Sequence, residues 1–483
     1  MRWQWIRLGA AATGLLALTL ATMAGATVKI AVIRHLATGR KHPAGTFFLN
    51  AGGPAAQIAG FVASYAAFPA ALRARFNIVT FDERGYGLSS TVQCFPDAAA
   101  ENKLLAGLPE GFPVGARQDS AWERTWARFG AACARHGGRL IQHDSSADDA
   151  RDMNLLRQAI GVPRLNYVGI SYGTGLGAVY ANLFPAAVGH MVLDGNLNPV
   201  TWNEGGRLPD ALREGADLAT ASVMRSFLNL CGKATTTACA FSAGTPAATR
   251  AKYRSLLQRL LRHPVTTGTP PQTFTYADAI NDVPLGYLYF PREWPTGADL
   301  LQQLWAASSV GHTPTADGAA ARTVSRPATA PAAAYAGQEQ GFAQFCADVA
   351  DAHRTRAWAA AARLARARSG GIGVGYTWQE EQCAAWPASA SQDRYTGPWN
   401  RRTASPILVI GNSGDPLTPY HSAVAMARDL ARARLLTVNE FGHTAILNPD
   451  ACATNYLIRY LTTGALPPAG AICQQTTPPF DTP

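Results

Sequence analysis

Short apolar runs rich in β-branched and aromatic residues recur along this chain, and one long gap between them limits the folds open to it. "VKIAVIR" (28–34), "TFFLN" (46–50), "FNIVTF" (76–81), "LNYVGI" (165–170) and "HMVLD" (190–194) fall in the first part, and "PILVIG" (406–411) and "RLLTVN" (434–439) near the end. Runs of this length, separated by helical patterns, are the mark of a mostly parallel sheet covered by helices on both faces. "DDARDMNLLRQAIG" (148–161) is one such helix, with Met153, Leu156 and Ile160 on one face and Gly161 placed to end it. Between Asp194 and Pro406 lie about 200 residues of mainly helical character, with an Ala/Pro/Thr-rich stretch at 313–334 expected to form a surface loop. A helical insertion between late strands of a parallel sheet is expected to lie as a lid over the carboxyl edge, where such sheets bind ligands. The expected division is 1–26 leader, 27–195 first part of the core, 196–400 helical cap and 401–483 second part of the core.

The strongest chemical signal is "VGISYGTG", a G-x-S-x-G pattern at Gly169, Ser171 and Gly173 between a strand and a helical stretch. Small residues two positions either side of the serine let strand and helix approach, so that a sharp turn exposes Ser171 Oγ at the sheet edge as a candidate nucleophile. A serine nucleophile needs a base and a carboxylate to orient it. His443 follows the last predicted strand in a Gly-His-Thr turn and is the candidate base. Asp415 in "GNSGDPLTP" is the preferred carboxylate because it lies one strand before the histidine, while Asp194 at the end of "HMVLD" is the rival. "NAGGPAA" (50–56) follows an early strand, in the slot that supplies one backbone N–H of an oxyanion hole. Gly52 and Gly53 are its candidates there, and Tyr172, directly after the serine, is the other. The loop carries neither G-K-[ST] nor G-x-G-x-x-G, which argues against a phosphate loop.

The surroundings point to export. Residues 1–26 run from a basic start through an uncharged apolar stretch to "AGA", the order of a secretory leader cleaved near Ala26, so the mature chain is expected to be secreted or periplasmic without stable membrane insertion. The eight cysteines are even in number with no C-x-x-C pair, so no metal site is expected. Neighbour pairing (Cys94–Cys133, Cys231–Cys239, Cys346–Cys383, Cys452–Cys473) closes four loops without crossings. The net charge of +10 is spread over scattered residues, mostly arginines, with no basic run interleaved with aromatics, which argues against a nucleic-acid partner.

Taken together, these motifs resemble the secreted tripeptidyl aminopeptidases of the α/β-hydrolase fold, relatives of the proline iminopeptidases. The resemblance rests on "NAGGPA", "FDERGYGLSS", "GISYGTGLGAVYANLFP", "MVLDG", "CAAWP", "PILVIGNSGDPLTPYHSAVAMARDL", "EFGHTAI" and the tail "CATNYLIRYLTTGALPPAGAIC". It implies an α/β-hydrolase fold, no cofactor, and release of short peptides or amino acids from free N-termini by Ser171, Asp415 and His443. An esterase or amidase acting on a non-peptide substrate with the same triad is the alternative, and a non-catalytic binding protein on the same fold is a further one. The chain departs from the family in two places. Members usually read Pro-Gly-Gly-Pro-Gly at the oxyanion loop, often followed by Gly or Ala and then Ser, where this chain reads Ala51-Gly52-Gly53-Pro54-Ala55-Ala56-Gln57. Members also usually carry a first strand between the leader and the run that begins here at Val28.

An aminopeptidase must pair the substrate's ammonium with a carboxylate, because an unpaired charge in a partly desolvated pocket is costly. Glu380, Glu381, Asp348 and Glu293 are the candidates in the insertion.

Overall fold

The computed structural model describes residues 5–8, 13–21, 27–39, 43–206, 208–309, 335–349, 351, 355–448, 450–476 and 478–480. Twelve strands are found among them: β1 (Trp5–Leu8), β2 (Thr13–Ala21), β3 (Thr27–His35), β4 (Gly45–Asn50), β5 (Phe76–Phe81), β6 (Leu165–Ile170), β7 (Val188–Asp194), β8 (Val265–Thr267), β9 (Gln272–Phe274), β10 (Ile407–Gly414), β11 (Ala433–Phe441) and β12 (Ile472–Gln474). Ten form one sheet in the order β1-β2-β3-β5-β4-β6-β7-β10-β11-β12, and β8 pairs with β9 in a separate hairpin. The pairings are parallel from β5 to β12 and antiparallel from β1 to β5.

The central strands read as unbroken apolar runs because both of their faces are covered. On β6, Leu165 and Tyr167 enter one core while Val168 and Ile170 enter the other; on β10, Ile407 and Val409 part from Leu408 and Ile410 in the same way. One core lies under helices Ser146–Ala159 and Tyr172–Leu183, through Met153, Leu156, Leu176 and Val179. The opposite core lies under helices Gln57–Ser64 and Ala451–Thr463, through Ile58, Phe61, Leu457 and Tyr460. Helix Ser146–Ala159 starts on a capping box in which Ser145 Oγ and the Asp148 carboxylate each accept from the other's backbone N–H. It ends before Gly161, whose φ is +75°.

The seven expected strands are all present, each within three residues of its expected bounds at either end. Three features were not expected: the β8–β9 hairpin inside the helical insertion, the short β12, and the two strands in the segment read as a leader. β2 pairs antiparallel with β3 over all nine of its residues, so a strand precedes the run that begins at Val28. The expected cleavage point at Ala26 and the whole of the loop at 313–334 lie outside the described residues. The four cystines pair as expected, Cys94–Cys133, Cys231–Cys239, Cys346–Cys383 and Cys452–Cys473, and no cysteine is free. No helix among the described residues is long and apolar enough to cross a membrane.

Candidate active site

The carboxyl ends of β4, β6, β7, β10 and β11 converge on one edge of the sheet, and each delivers a residue of the candidate site. Ser171 directly follows β6 and has φ 55° and ψ −123°, a conformation that non-glycine residues adopt only where the surroundings enforce it. The enforcement is visible on both sides. Ser171 N donates to Asp194 O at 2.9 Å, extending the β6–β7 ladder, and helix Tyr172–Leu183 begins at the next residue. The flanking glycines are sterically required: a Cβ on Gly169 would lie 2.4 Å from Gly173 O, and one on Gly173 would lie 2.7 Å from Asn50 Oδ1.

The 50–56 loop rises from β4 and lies directly over the serine. A Cβ on Gly52 would stand 2.9 Å from Ser171 Cβ and 3.0 Å from Ile170 O, so only glycine fits there. Gly52 N–H donates to Asn50 Oδ1 at 2.9 Å. Gly53 N–H and Tyr172 N–H have no hydrogen-bond partner among the described residues. Ala55, which stands where glycine is usual, does not take a positive φ.

His443 follows β11. Its Nδ1 lies 2.9 Å from Asp415 Oδ2 and 3.0 Å from Asp415 Oδ1, with both side chains buried. The Asp-Pro-Leu-Thr turn after β10 fixes that carboxylate: Oδ1 accepts from Leu417 N (2.8 Å) and Thr418 N (2.9 Å), and Oδ2 accepts from Thr418 Oγ1 (2.9 Å). Asp194, the rival, points elsewhere. Its oxygens accept from Ala445 N (3.2 Å) and Ile446 N (2.8 Å), so it caps the turn that carries His443. Burial pushes the Asp194 carboxyl up to about 7, against the pull of those two N–H groups. The structure brings His443 and Asp415 together; Ser171 Oγ and His443 Nε2 are not hydrogen-bonded in it.

The insertion reaches this edge through residues that no sequence signal marks. Tyr289 O accepts from His443 N at 2.8 Å, and the Tyr289 ring stands edge-on to the imidazole with centroids 5.2 Å apart. Gln57 and Asn50 hold the glycine loop by side-chain bonds to its backbone. Gln57 belongs to no periodic pattern or catalytic motif, so only the folded loop reveals it.

The four acidic candidates for an ammonium site part company. Asp348 is buried and occupied, accepting from Ser146 N (2.9 Å), Ser146 Oγ and Tyr172 Oη (3.0 Å); burial pushes its carboxyl up to about 6. Glu381 is buried, and desolvation pushes it up to about 8. Glu293 pairs with Arg292 at 3.6 Å and, with Asp282 and Asp299, lines a cavity of about 990 Å³ in the insertion. Glu380 accepts from Ala211 N at 3.1 Å and joins Asp210, Glu214 and Asp351 around the Arg213 guanidinium. Burial pushes Glu380 and Asp210 well above the usual carboxylate range, with their neighbouring carboxylates acting in the same direction. Glu214 ties this group to the site edge by accepting from Ser422 Oγ at 2.9 Å, in the helix that follows the Asp415 turn.

Comparison with known proteins agrees with this architecture. The family model for the alpha/beta hydrolase fold matches residues 45–278, and that for TAP-like protein matches residues 370–473. The chain is 26% identical over 473 residues to the tripeptidyl aminopeptidase of Streptomyces coelicolor, an alignment covering 93% of this chain and 80% of that one. It is 29% identical over 459 residues to a Mycobacterium tuberculosis protein named carboxylesterase B (93% and 83% covered). With serine protease Hip1 of the same species it shares 28% over 466 residues (93% and 84% covered).

Proposed function

We propose that this chain, a member of the α/β-hydrolase fold family with a TAP-like C-terminal region, is an exported serine aminopeptidase that releases short peptides or amino acids from free N-termini. The observation that carries this reading is the convergence of a strained Ser171, a glycine loop packed over it and a His443–Asp415 pair on one sheet edge. His443, its Nδ1 held by Asp415, takes the Ser171 hydroxyl proton at Nε2 as Oγ bonds to the scissile carbonyl carbon. That transfer needs the Ser171–His443 hydrogen bond to form when substrate binds, as such contacts commonly do. Gly53 N–H and Tyr172 N–H hold the negative oxygen of the tetrahedral intermediate. Collapse breaks the C–N bond, and His443 returns the proton to the leaving amine. Water, deprotonated by His443, then attacks the acyl-serine ester and frees both the N-terminal fragment and Ser171.

The insertion at 196–400 acts as a cap and supplies the ammonium site. Glu380 with Asp210, Glu214 and Asp351 fits it best, since Arg213 pairs with Asp210 and Asp351 while Glu214 and Glu380 add further carboxylates within reach of its charge, a group that favours another cation. Asp348, already bonded to Ser146 and Tyr172, is the weakest candidate. Four cystines fit folding in an oxidising compartment.

The test is a panel of peptide amides with free and acetylated N-termini, with Ser171→Ala as control. Cleavage of free substrates, loss of cleavage on acetylation and silence in Ser171→Ala are expected. Equal turnover of free and acetylated substrates would overturn the aminopeptidase reading in favour of an esterase or amidase. Failure of a fluorophosphonate to label Ser171 in the folded protein would overturn the hydrolytic mechanism itself.

A further inference from the structure

One side chain makes three bonds to the backbone of the loop that lies over Ser171. Gln57 is 4% exposed and directs its amide onto the 51–55 backbone, with the buried Glu83 carboxyl also within hydrogen-bond reach of it. Its Oε1 accepts from Ala51 N at 2.9 Å, and its Nε2 donates to Gly52 O at 2.7 Å and to Ala55 O at 3.1 Å. Both amide hydrogens and the carbonyl oxygen are therefore used, and only this orientation of the amide matches all three partners. Gln57 is the first residue of helix Gln57–Ser64, yet it does not cap that helix. Asp82 Oδ1 does so, accepting from Ile58 N at 2.8 Å, while the Ala56 position has no side-chain cap.

The bond to Gly52 O matters most. In a trans peptide the carbonyl of one residue and the N–H of the next point in opposite directions across a rigid plane. The peptide between Gly52 and Gly53 is trans. Fixing Gly52 O on Gln57 Nε2 therefore fixes Gly53 N–H on the opposite side. Asn50 anchors the preceding peptide from its own side, through Gly52 N–H to Asn50 Oδ1. We propose that Gln57 is a positioning residue for the reaction: by holding the Gly52 carbonyl it aims Gly53 N–H at the oxyanion.

The loop's unusual sequence fits this role. Ala51 stands where the resembling sequences carry proline, and it brings a backbone N–H that proline lacks. Gln57, at a position where those sequences often carry serine, supplies the acceptor for that N–H and a tether for Ala55. Ala51 N–H and Gln57 Oε1 thus form a matched donor and acceptor in this loop.

The inference rests on the acyl-transfer reading above, and its test separates the two. Gln57→Glu keeps the length and an acceptor for Ala51 N–H, but as a carboxylate it sets oxygen against the Gly52 and Ala55 carbonyls and against the neighbouring Glu83 carboxyl, itself pushed up to about 8 by burial. We expect kcat to fall by about 10- to 100-fold with KM little changed, and fluorophosphonate inactivation of Ser171 to slow by a similar factor. Lowering the pH until the new carboxyl is protonated restores a donor, so the ratio of variant to wild-type rate should rise there. Gln57→Met, neutral and of similar length, should lose rate at every pH, and it serves if the Glu variant does not fold. A folded variant with kcat and inactivation rate within about twofold of wild type, even with a lowered Tm, would overturn the positioning role. A wild-type protein that neither cleaves nor labels would instead overturn the hydrolase reading.

Discussion

The Tyr172 hydroxyl donates to Asp348 Oδ2 across 3.0 Å, joining the residue that follows Ser171 to a helix of the insertion 176 positions away in sequence. Ser146 completes the contact, with its Oγ 2.6 Å from the same hydroxyl. Asp348 is therefore a strut between the insertion and one wall of the candidate oxyanion hole. Desolvation raises its carboxyl from 3.8 to about 6, while the bonds from Ser146 and Tyr172 oppose that rise. A carboxyl raised on folding contributes stability that is fully present below the unfolded value and is lost as pH rises through the folded one. Asp348→Asn should therefore flatten the decline in Tm between about pH 4 and pH 6, which thermal melts across that range would reveal.

Asp415 touches the imidazole through Nδ1 alone, so it acts on the tautomer of His443. Asp415→Asn would leave the fold intact and favour the wrong tautomer. A loss in kcat of roughly four orders of magnitude is expected, with normal far-ultraviolet circular dichroism. A loss under tenfold would mean that another carboxylate orients the histidine.

The two small residues of the glycine loop should respond in opposite ways. Gly52→Ala forces a methyl to 2.9 Å from Ser171 Cβ at a φ of +99°, so kcat should drop by about 100-fold or more in a folded protein. Ala55→Gly relieves nothing, because Ala55 does not hold a positive φ. It should leave kcat unchanged and lower stability by about 0.5–1 kcal/mol, measured by urea denaturation.

Asp194 supports the histidine from behind. Asp194→Ala removes the acceptor of two buried N–H groups, Ala445 and Ile446, at a cost of about 1–3 kcal/mol for each group left unpaired. A clear fall in Tm is expected, together with a smaller loss of kcat than Asp415→Asn gives.

Residues 13–21 lie along β3, yet the same stretch has the make-up of a leader. Cleavage after Ala26 would remove β1 and β2 and leave β3 as the sheet edge. N-terminal sequencing of the protein isolated from its host should read from Thr27; a chain beginning at Met1 would mean that β2 stays in the sheet.

The sheet was legible because double-sided burial leaves continuous apolar runs, and the serine turn was legible because its crowding admits only glycine at 169 and 173. The β8–β9 hairpin, with three residues per strand, and β12 are too short to leave such a pattern. The charged residues of the insertion were the hardest to read. Asp348 and Glu380 look alike as letters, and only the fold shows that one braces Tyr172 while the other joins a cluster around Arg213. Gln57 escaped for a related reason: the loop atoms it holds are backbone atoms, which sequence does not distinguish.

The cystines divide the molecule in a way that bears on its mechanics. Cys231–Cys239 and Cys346–Cys383 lie within the insertion, Cys94–Cys133 within the β5–β6 excursion, and Cys452–Cys473 within the C-terminal part of the core. None of them bridges the insertion to the rest of the chain. Oxidation therefore stiffens each part separately, and the seam above Ser171 is closed by reversible contacts, among them Tyr289 on His443 and Asp348 on Tyr172. That seam can part and re-form without a covalent bond being broken.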